Sequence, residues 1–389
     1  MKVAVTNACL FPSDKRVVIL IDHGKVSAVG DDVSLPQDTS VIDAAGRPVT
    51  PGLVEAHAHV GVLNAGIGWE GRDHNETTDP ITPQVDARDA INPEDRGFMD
   101  LLRGGITTVQ VIPGSANIIG GTGLAIKTKP TALIDDVVVK LKTGMKAALG
   151  ENPKRAYGVD KKRNPSTRMG SAALLREWLF KTIDYQNKKE TSPDQAEYDA
   201  RLEALLPVIR REMPLRIHAH RADDIVTAIR IAEEFSLCYS IEHATQGDKI
   251  ADYLAERQVL CAVGPSFGYE AKVELEDVGF STSVRLHRAG VPFCLTTDHP
   301  VVRGEYLHML AGMASAYGLG DEAALMAVTQ NPARHLGLSD RVGTLEPGKD
   351  ADLVIWSGDP LDGRSLADVV IIDGEAVYRS DESSSKRQG

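Results

Sequence analysis

The chain has 389 residues, which is too long for one ordinary small domain but suits one barrel with a smaller appended domain. Its 42% hydrophobic and 25% charged residues are typical of a soluble globular protein. The net charge of −12 includes no block of like charge, which argues against nucleic-acid or membrane partners. No apolar stretch reaches the ~20 residues that span a bilayer, and the chain starts directly in a strand pattern, so a cytoplasmic location is expected.

Both ends of the chain have the pattern of short strands divided by turn signals. The predicted strands cover 3–6, 17–21, 26–29 and 41–42 at one end and 352–356, 369–372 and 376–378 at the other. This similarity predicts one composite β-sandwich domain, formed by residues 1–51 and 341–379. The last residues, 380–389, contain no apolar side chain and are predicted to be a disordered tail.

The middle of the chain alternates between strand-like and helix-like segments. The predicted strands include 107–112, 215–219, 238–242, 259–263 and 293–297. Predicted helices lie at 169–188, 193–211, 222–235 and 322–328. Such alternation predicts a parallel sheet with crossover helices. We therefore expect an α/β fold, with a TIM-like (β/α)₈ barrel over residues 52–340.

Two histidines one residue apart provide the first chemical signal. The run Pro51-Gly-Leu-Val-Glu-Ala-His57-Ala-His59 predicts a strand that leaves a turn. Side chains at i and i+2 of a strand point to the same face. His57 and His59 are therefore expected to bind one metal ion, at the usual zinc–nitrogen distance of about 2.0–2.1 Å.

Three further strands end in polar groups that can bind metals. His218 lies in the strand 215–219, His243 follows the strand 238–242, and Asp298 follows the strand 293–297. A parallel barrel gathers the carboxyl ends of its strands on one face, where enzymes of this fold keep their active sites. Imidazoles and a carboxylate there would hold a divalent ion and leave a position open for water.

These motifs, in this order, resemble the amidohydrolase superfamily over nearly the whole chain. Its members are metal-dependent hydrolases with a (β/α)₈ barrel and a composite β-sandwich. The resemblance also includes the runs Thr329-Gln-Asn-Pro-Ala-Arg-His335-Leu-Gly-Leu and Val342-Gly-Thr-Leu-Glu-Pro-Gly-Lys-Asp-Ala-Asp-Leu-Val354. The His-Ala-His and Ile-Glu-His motifs are most similar to the imidazolonepropionase-related and prolidase-like branches.

The resemblance implies a role for each motif residue. His57 and His59 would bind one metal position, while His218 and His243 would contribute to a second or shared position. Asp298 would bind metal and take the proton of the attacking water. The expected cofactor is one or two divalent ions, with zinc as the first choice, although imidazole and carboxylate also suit manganese, iron and nickel.

The fourth barrel strand departs from the family pattern. Many relatives place a carboxylated lysine at the end of this strand, where it bridges two metals. Here the strand is expected to end at Gly150-Glu151, so Glu151 is the predicted bridging carboxylate. Lys140, Lys142 and Lys146 lie earlier in the run. Alternatively, Glu151 caps the following helix.

The role of His220 has two possible interpretations. His220, two residues after His218, either faces the pocket and contacts substrate or a second metal, or it orients a ligand. The glycine-rich run 114–123 is expected to be a loop at the barrel mouth, and the long loop 69–93 is expected to cover the site. Five further histidines are expected to have structural or surface roles: His74, His287, His299, His308 and His335.

The predicted function is hydrolysis of a C–N bond in a small amide, cyclic amide or dipeptide. Asp298 would pass a proton to the leaving nitrogen, while His243 or His220 steadies the oxyanion. An aminohydrolase (deaminase) of a nitrogen heterocycle is the alternative, which is disfavoured because residues 218–224 lack the glutamate that deaminases carry there. A barrel without activity that serves as a binding protein is the third reading. The expected partner is a small-molecule substrate, and homo-oligomer formation is left open.

Overall fold

The computed structural model describes residues 2–268 and 271–380. Within them the strands are β1 (Lys2–Leu10), β2 (Lys15–Asp22), β3 (Lys25–Gly30), β4 (Ser40–Asp43), β5 (Pro48–Pro51), β6 (Leu53–Ala58), β7 (Ile106–Val111), β8 (Ile119–Lys127), β9 (Val138–Ala148), β10 (Leu215–Ala219), β11 (Tyr239–His243), β12 (Leu260–Val263), β13 (Phe293–Leu295), β14 (Leu353–Trp356), β15 (Ala367–Ile372) and β16 (Glu375–Arg379). The helices are α1 (Gly97–Arg103), α2 (Glu151–Lys154), α3 (Arg168–Thr191), α4 (Ala200–Ile209), α5 (Ala222–Glu234), α6 (Ala251–Glu256), α7 (Ser281–Ala289), α8 (Leu307–Ala314), α9 (Asp321–Met326) and α10 (Gln330–Leu336).

The two ends of the chain share one eight-stranded sheet. Its order is β16-β15-β14-β5-β1-β2-β3, and β4 pairs with β1 off this path. The first half of β1 pairs with β4 and its last residues pair with β5, so one strand serves two neighbours. Buried valines and isoleucines of both chain ends form its core. The expected β-domain from both termini is therefore present, while its exact limits, 1–51 and 341–379 around 52–340, stay predictions. Of the predicted tail, residues 381–389 lie outside the described residues.

The second sheet is the barrel. Its eight strands follow the chain order from β6 to β13. β8 runs antiparallel to both β7 and β9, and the other neighbouring pairs are parallel. The expectation of a purely parallel sheet is therefore wrong at this strand. The connection from β7 to β8 is short and has no helix, so the chain can only return antiparallel. The run 114–123, expected to be a loop, consequently enters β8 at Ile119.

A seam between β6 and β13 nearly closes the barrel. The His59 N–H donates to the His299 carbonyl at 2.7 Å, and the Thr296 hydroxyl donates to the His57 carbonyl at 2.9 Å. Further down the seam, residues 327–328 accept hydrogen bonds from both strands through their carbonyls. We call this junction of β6 and β13 the seam. It places His57 of β6 and the following His59 beside the residues that follow β13.

The barrel helices begin and end at recognisable caps. Thr167 is the N-cap of α3, and its side chain accepts a hydrogen bond from the Gly170 N–H. The helix predicted over 193–211 instead starts at α4, where Asp199 accepts two backbone N–H groups. The predicted helix 222–235 matches α5 closely. Among the described residues, no helix is both long enough and apolar enough to cross a membrane.

A buried ion-pair network joins the barrel to the β-domain. Lys127, at the end of β8, lies 2.8 Å from Asp350 and 2.5 Å from Asp352. Lys25 and Arg341 also pair with Asp350. We call these five residues the junction cluster. It fixes one end of β8 against the chain segment that leads into β14.

Candidate metal centre

The carboxyl ends of the barrel strands bring the predicted site residues together. His57 lies in β6, His218 in β10 and His243 at the end of β11. His59 and His220 each directly follow the last residue of β6 and β10. All five imidazoles are buried. Parallel pairing of β10 with β11 aligns Ala219 with His243, which sets the two strand ends side by side. The face predicted from the sequence is therefore the face on which these side chains meet.

The first group of potential ligands consists of His57, His59 and Asp298. Their ligand atoms lie within 4.8 Å of one another. Asp298 Oδ1 is 3.2 Å from His59 Nε2 and 3.7 Å from His57 Nε2. The Nδ1 atoms face acceptors, the Ile112 carbonyl at 2.6 Å for His59 and Glu242 Oε2 at 2.8 Å for His57. Each ring then donates from Nδ1, which leaves the Nε2 lone pair directed at Asp298.

The second group consists of His218, His220 and His243. Their ligand atoms also lie within 4.8 Å of one another, and the ring centroids are 4.4 to 4.7 Å apart. His243 Nδ1 lies 2.8 Å from the Gly264 carbonyl, and His220 Nδ1 lies 2.7 Å from the Thr245 hydroxyl. The structure thus brings His220, whose role the sequence left open, into this group. Burial lowers the pKa of all three imidazoles, which favours the neutral form that binds metals.

Two residues of the centre have uncommon backbone conformations. His243 has a φ of 77° and Asp298 has a φ of 54°. Both values lie in the left-handed region, which costs a non-glycine residue on the order of 1–3 kcal/mol. Such strain persists where the surrounding structure holds it, and it clusters at functional sites. Here it aims the two side chains into the barrel mouth.

Burial and the neighbouring imidazoles shift the pKa of Asp298 in opposite directions. Burial alone would raise the pKa of the Asp298 carboxyl, but His243 and His59 hold it well below its usual range. The carboxylate is therefore ionised near neutral pH. Its Oδ1 atom is buried and has no hydrogen-bond donor among the described residues. An ionised, undercoordinated carboxylate oxygen beside two imidazoles is typical of a cation site.

Lys146, which the sequence did not favour, lies inside the centre. Its Nζ is 2.9 Å from His57 Nε2, and the side chain is fully buried in β9. Burial lowers the pKa of Lys146 to about 8. Because β9 ends at Ala148, before the turn at Gly150, Lys146 lies much closer to the strand end than the sequence suggested. A strand end placed before that glycine would have favoured Lys146.

Glu151 lies outside both groups. It is the first residue of α2, and its backbone N–H donates to Glu274 Oε2 at 3.0 Å. The chain has already left the strand at this point, so Glu151 does not continue the inward face of β9. The structure does not bring the Glu151 side chain to the histidines and Asp298. We therefore move the proposal for the fourth-strand ligand from Glu151 to Lys146.

Two buried carboxylates that the sequence did not single out support the centre from inside the barrel. Glu242 accepts hydrogen bonds from Ser240 at 2.6 Å and from His335 at 3.1 Å, and it also faces His57 Nδ1. Burial alone would raise the pKa of Glu242, but His335 and His57 hold it well below its usual range. The sequence signal that could have identified Glu242 was its place in β11 directly before His243.

Glu55 is the second of these carboxylates and lies at the seam. It accepts the His57 N–H at 3.0 Å and both the backbone N–H and the hydroxyl of Thr297, at 2.9 and 2.6 Å. Burial raises the pKa of Glu55 to about 7. The side chain thus ties β6 to the residue immediately before Asp298. It sets the distance between the two halves of the first ligand group.

A cavity of about 520 Å³ opens above the centre. Its floor includes His59, His218, His220 and Asp298, and its wall includes apolar side chains such as Phe267. This volume suits a small organic molecule.

One histidine expected to be structural lines the cavity. His74 has its ring centroid 5.8 Å from that of His59, and its buried Nδ1 atom has no hydrogen-bond partner among the described residues. Burial lowers the pKa of His74 to about 4, so the ring is neutral and can donate a hydrogen bond. The long loop expected to cover the site therefore contributes His74 and Asn75 to the cavity lining.

Comparison with known proteins agrees with this geometry. The model of the amidohydrolase family matches residues 49–378, and the chain belongs to this family. An amidohydrolase structure from Thermotoga maritima MSB8 is 43% identical, has a TM-score of 0.93, and the match covers 97% of this chain and 100% of that chain. The resemblance inferred from the motifs is confirmed.

Two curated relatives extend the comparison. Amidohydrolase tasK of Hapsidospora irregularis is 29% identical over 392 residues, a match that covers 92% of this chain and 40% of that protein. The chain therefore spans less than half the length of this relative. An imidazolonepropionase of Aromatoleum aromaticum is 26% identical over 364 residues, with 88% of this chain and 85% of that protein covered.

Proposed function

We propose that this protein is a metal-dependent hydrolase that cleaves a C–N bond in a small amide, cyclic amide or dipeptide. The observation that carries the proposal is the meeting of two groups of potential ligands at the floor of one cavity. Membership of the amidohydrolase family and the similarity to an imidazolonepropionase support the reaction class.

The residues present fit one or two divalent ions, with zinc as the expected metal. His57, His59 and Asp298 would hold one position, and His218, His220 and His243 would hold the other. The two groups touch, since the ring centroids of His57 and His243 are 4.9 Å apart. When bound, a divalent ion supplies Lewis acidity and lowers the pKa of water toward ~7.

Lys146 is the proposed link between the two positions. The resemblance to relatives with a carboxylated lysine suggests that its amine adds CO₂ and loses a proton, which gives a carbamate. This reaction needs the neutral amine, and the pKa of about 8 makes that form accessible near neutral pH. A carbamate at this place would add an anionic ligand among neutral imidazoles.

The proton transfers are assigned to Asp298. As an ionised carboxylate at the cavity floor, it would accept a proton from the attacking water and return it to the leaving nitrogen. His243 and His220 would act on the negative charge of the carbonyl oxygen through the ion that they hold, because their Nδ1 atoms already face Gly264 and Thr245. The apolar side of the cavity would exclude bulk water from these transfers.

Deamination of a nitrogen heterocycle stays the alternative because of one observation. The glutamate missing after His218 has a spatial counterpart in Glu274, whose Oε1 lies 3.9 Å from Nε2 of both His218 and His220. A carboxylate in that place could transfer a proton to a ring nitrogen of the substrate. Release of ammonia from heterocyclic substrates would distinguish this activity from amide cleavage.

Elemental analysis tests the proposal first. The wild-type chain is expected to contain one or two divalent ions, and the His57→Ala/His59→Ala variant is expected to lose at least one. N-acyl amino acids, dipeptides and cyclic amides would then be screened with the metal restored. A wild-type chain that binds no divalent ion, even after supplementation, would refute the proposed function and favour a binding protein without activity.

A further inference from the structure

Glu274 is a buried carboxylate that approaches the second ligand group from outside the barrel strands. It lies in a helical turn, Val273–Leu275, between β12 and α7, and its side chain has no solvent exposure. Its Oε2 accepts the Glu151 N–H at 3.0 Å. Its Oε1 points at the histidines, 3.9 Å from Nε2 of His218 and 3.9 Å from Nε2 of His220.

These distances are close to those between two ligands of one ion. Atoms bound to the same tetrahedral zinc ion lie about 3.4 Å apart, given bond lengths near 2.1 Å. A movement of about 0.5 Å would therefore bring Glu274 Oε1 into the same coordination sphere as the two imidazoles. His220 Nδ1 already contacts Thr245, so Nε2 is the atom that remains for such an ion.

The groups now around this carboxylate take the place that a cation would take. Lys272 Nζ lies 2.6 Å from Glu274 Oε1 and 2.7 Å from Asn152 Oδ1. Asn152 in turn lies 3.3 Å from His218 Nε2 through its Nδ2. The Lys272 ammonium thus contacts the carboxylate oxygen, and the Asn152 amide contacts the imidazole nitrogen. Both of these atoms would face a bound ion.

We infer that Glu274 is a fourth protein ligand for the divalent ion held by His218, His220 and His243, and that Lys272 competes with this ion for the carboxylate. The inference rests on the proposed function, since it requires a metal at the second group. It adds a ligand that the barrel strands do not provide. Imidazole nitrogen and carboxylate oxygen are both ligands that zinc binds in proteins.

Titration of the metal-free chain with Co²⁺ and Zn²⁺ tests this inference. The variant is Glu274→Gln, which keeps the side-chain volume and an acceptor for the Glu151 N–H. The matched control is Glu276→Gln, two residues further along the same segment and exposed. Glu274→Gln is expected to lower the affinity for one ion at least about tenfold and to change the Co²⁺ absorption spectrum, whereas the control matches the wild type.

A second variant keeps the test decisive if Glu274→Gln does not fold. Lys272→Gln removes the competing ammonium from a partly exposed position, so it is expected to raise the affinity for the same ion. A role limited to holding Glu151 and Lys272 in place predicts no such gain. Unchanged or weaker binding by Lys272→Gln would therefore overturn the inference.

The outcomes separate the two proposals. A folded Glu274→Gln variant with wild-type stoichiometry, affinity and Co²⁺ spectrum overturns the fourth-ligand assignment and leaves the proposed hydrolase intact. A wild-type chain that binds neither metal overturns both. Loss of one ion from Glu274→Gln, with the other retained, supports the assignment and locates the affected ion at the second group.

Discussion

The metal centre and the junction cluster are both buried and charged, but they differ in how their polar atoms are paired. In the junction cluster, Lys127 lies between Asp350 and Asp352, and charges of opposite sign meet directly. In the centre, Asp298 Oδ1 and His218 Nδ1 are buried without a hydrogen-bond partner among the described residues. Paired charges fix two parts of the chain, whereas undercoordinated ligand atoms leave a binding capacity.

The pKa shifts express the same difference. Burial alone would lower the pKa of Lys127, but Asp352 and Asp350 raise it above its usual value. Burial lowers the pKa of His57 to about 3, with a contribution from Lys146. Lys127 thus keeps its charge, while burial favours the neutral imidazole, which is the form that can bind a cation, at His57, His218, His220 and His243.

The largest expected effect comes from removing the Asp298 carboxylate. Asp298→Asn should lower kcat by about 10²- to 10⁴-fold, because the proton acceptor is lost while the side-chain shape is kept. Steady-state kinetics on the substrate found by screening would measure it, and far-ultraviolet circular dichroism would verify the fold. Near wild-type turnover would contradict the role assigned to Asp298.

The next largest effect is expected at Lys146. Lys146→Gln should lower metal affinity at least about tenfold and reduce activity with it, because the link between the two groups is removed. Lys142→Gln is the control, since Lys142 lies in the same strand and is exposed. Equal metal content in both variants, measured by elemental analysis, would show that Glu151 or another group takes this place.

Breaking the junction cluster should lower the stability of the fold and leave kcat unchanged. Lys127→Met leaves the buried Asp352 without its cation and removes one of the three cations of Asp350. It is expected to lower the free energy of unfolding by about 3–5 kcal/mol. Lys129→Met, which breaks the more exposed pair with Glu375, should cost about 1 kcal/mol or less. Urea denaturation measures both. A change in kcat of the still-folded Lys127→Met variant would contradict the separation of the two clusters.

The remaining expected effect concerns the pH dependence of stability. The metal-free chain should lose stability as the pH falls from about 6.5 toward 4, because buried histidines with lowered pKa values resist protonation in the folded state. Burial lowers the pKa of His57 to about 3, and those of His74 and His299 to about 4. Each such group contributes up to about 1.4 kcal/mol per pH unit between its unfolded and folded pKa.

Asp350 of the junction cluster should respond only at lower pH. Burial alone would raise the pKa of Asp350, but Lys127 and its hydrogen bonds hold it below its usual value. Its contribution is therefore present above the unfolded pKa of about 3.9 and is lost below it. Urea denaturation between pH 4 and 7 should show a shallower slope in His57→Ala than in the wild type. Equal slopes in the two proteins would contradict this assignment.

The sequence predicted those parts of the site that follow from strand alternation. His57 and His59 share one strand face, and His218 and His243 each end a strand, so a parallel barrel had to bring them to one face. The composite β-domain was equally predictable, because both chain ends show short alternating strands. These features depend on local patterns of a few residues.

The features that were missed depend on where strands end and which loops fold back. Lys146 and Glu151 differ by five positions, and only the actual end of β9 decides which of them reaches the centre. Glu274 comes from a segment between β12 and α7 whose sequence pattern carries no metal signal. The antiparallel direction of β8 follows from a short connection, which looked like a loop at the barrel mouth.

The seam has a consequence for the order of folding. Its hydrogen bond from Thr296 to the His57 carbonyl joins residues 239 positions apart, so the loop it closes contains most of the barrel. Contacts of such sequence separation carry a large closure entropy and form slowly. His57 and Asp298 lie on opposite sides of the seam, so their ligand group exists only once the first and last barrel strands have met. Metal uptake by this group is thus expected to report the final step of barrel assembly, after most of the secondary structure has formed.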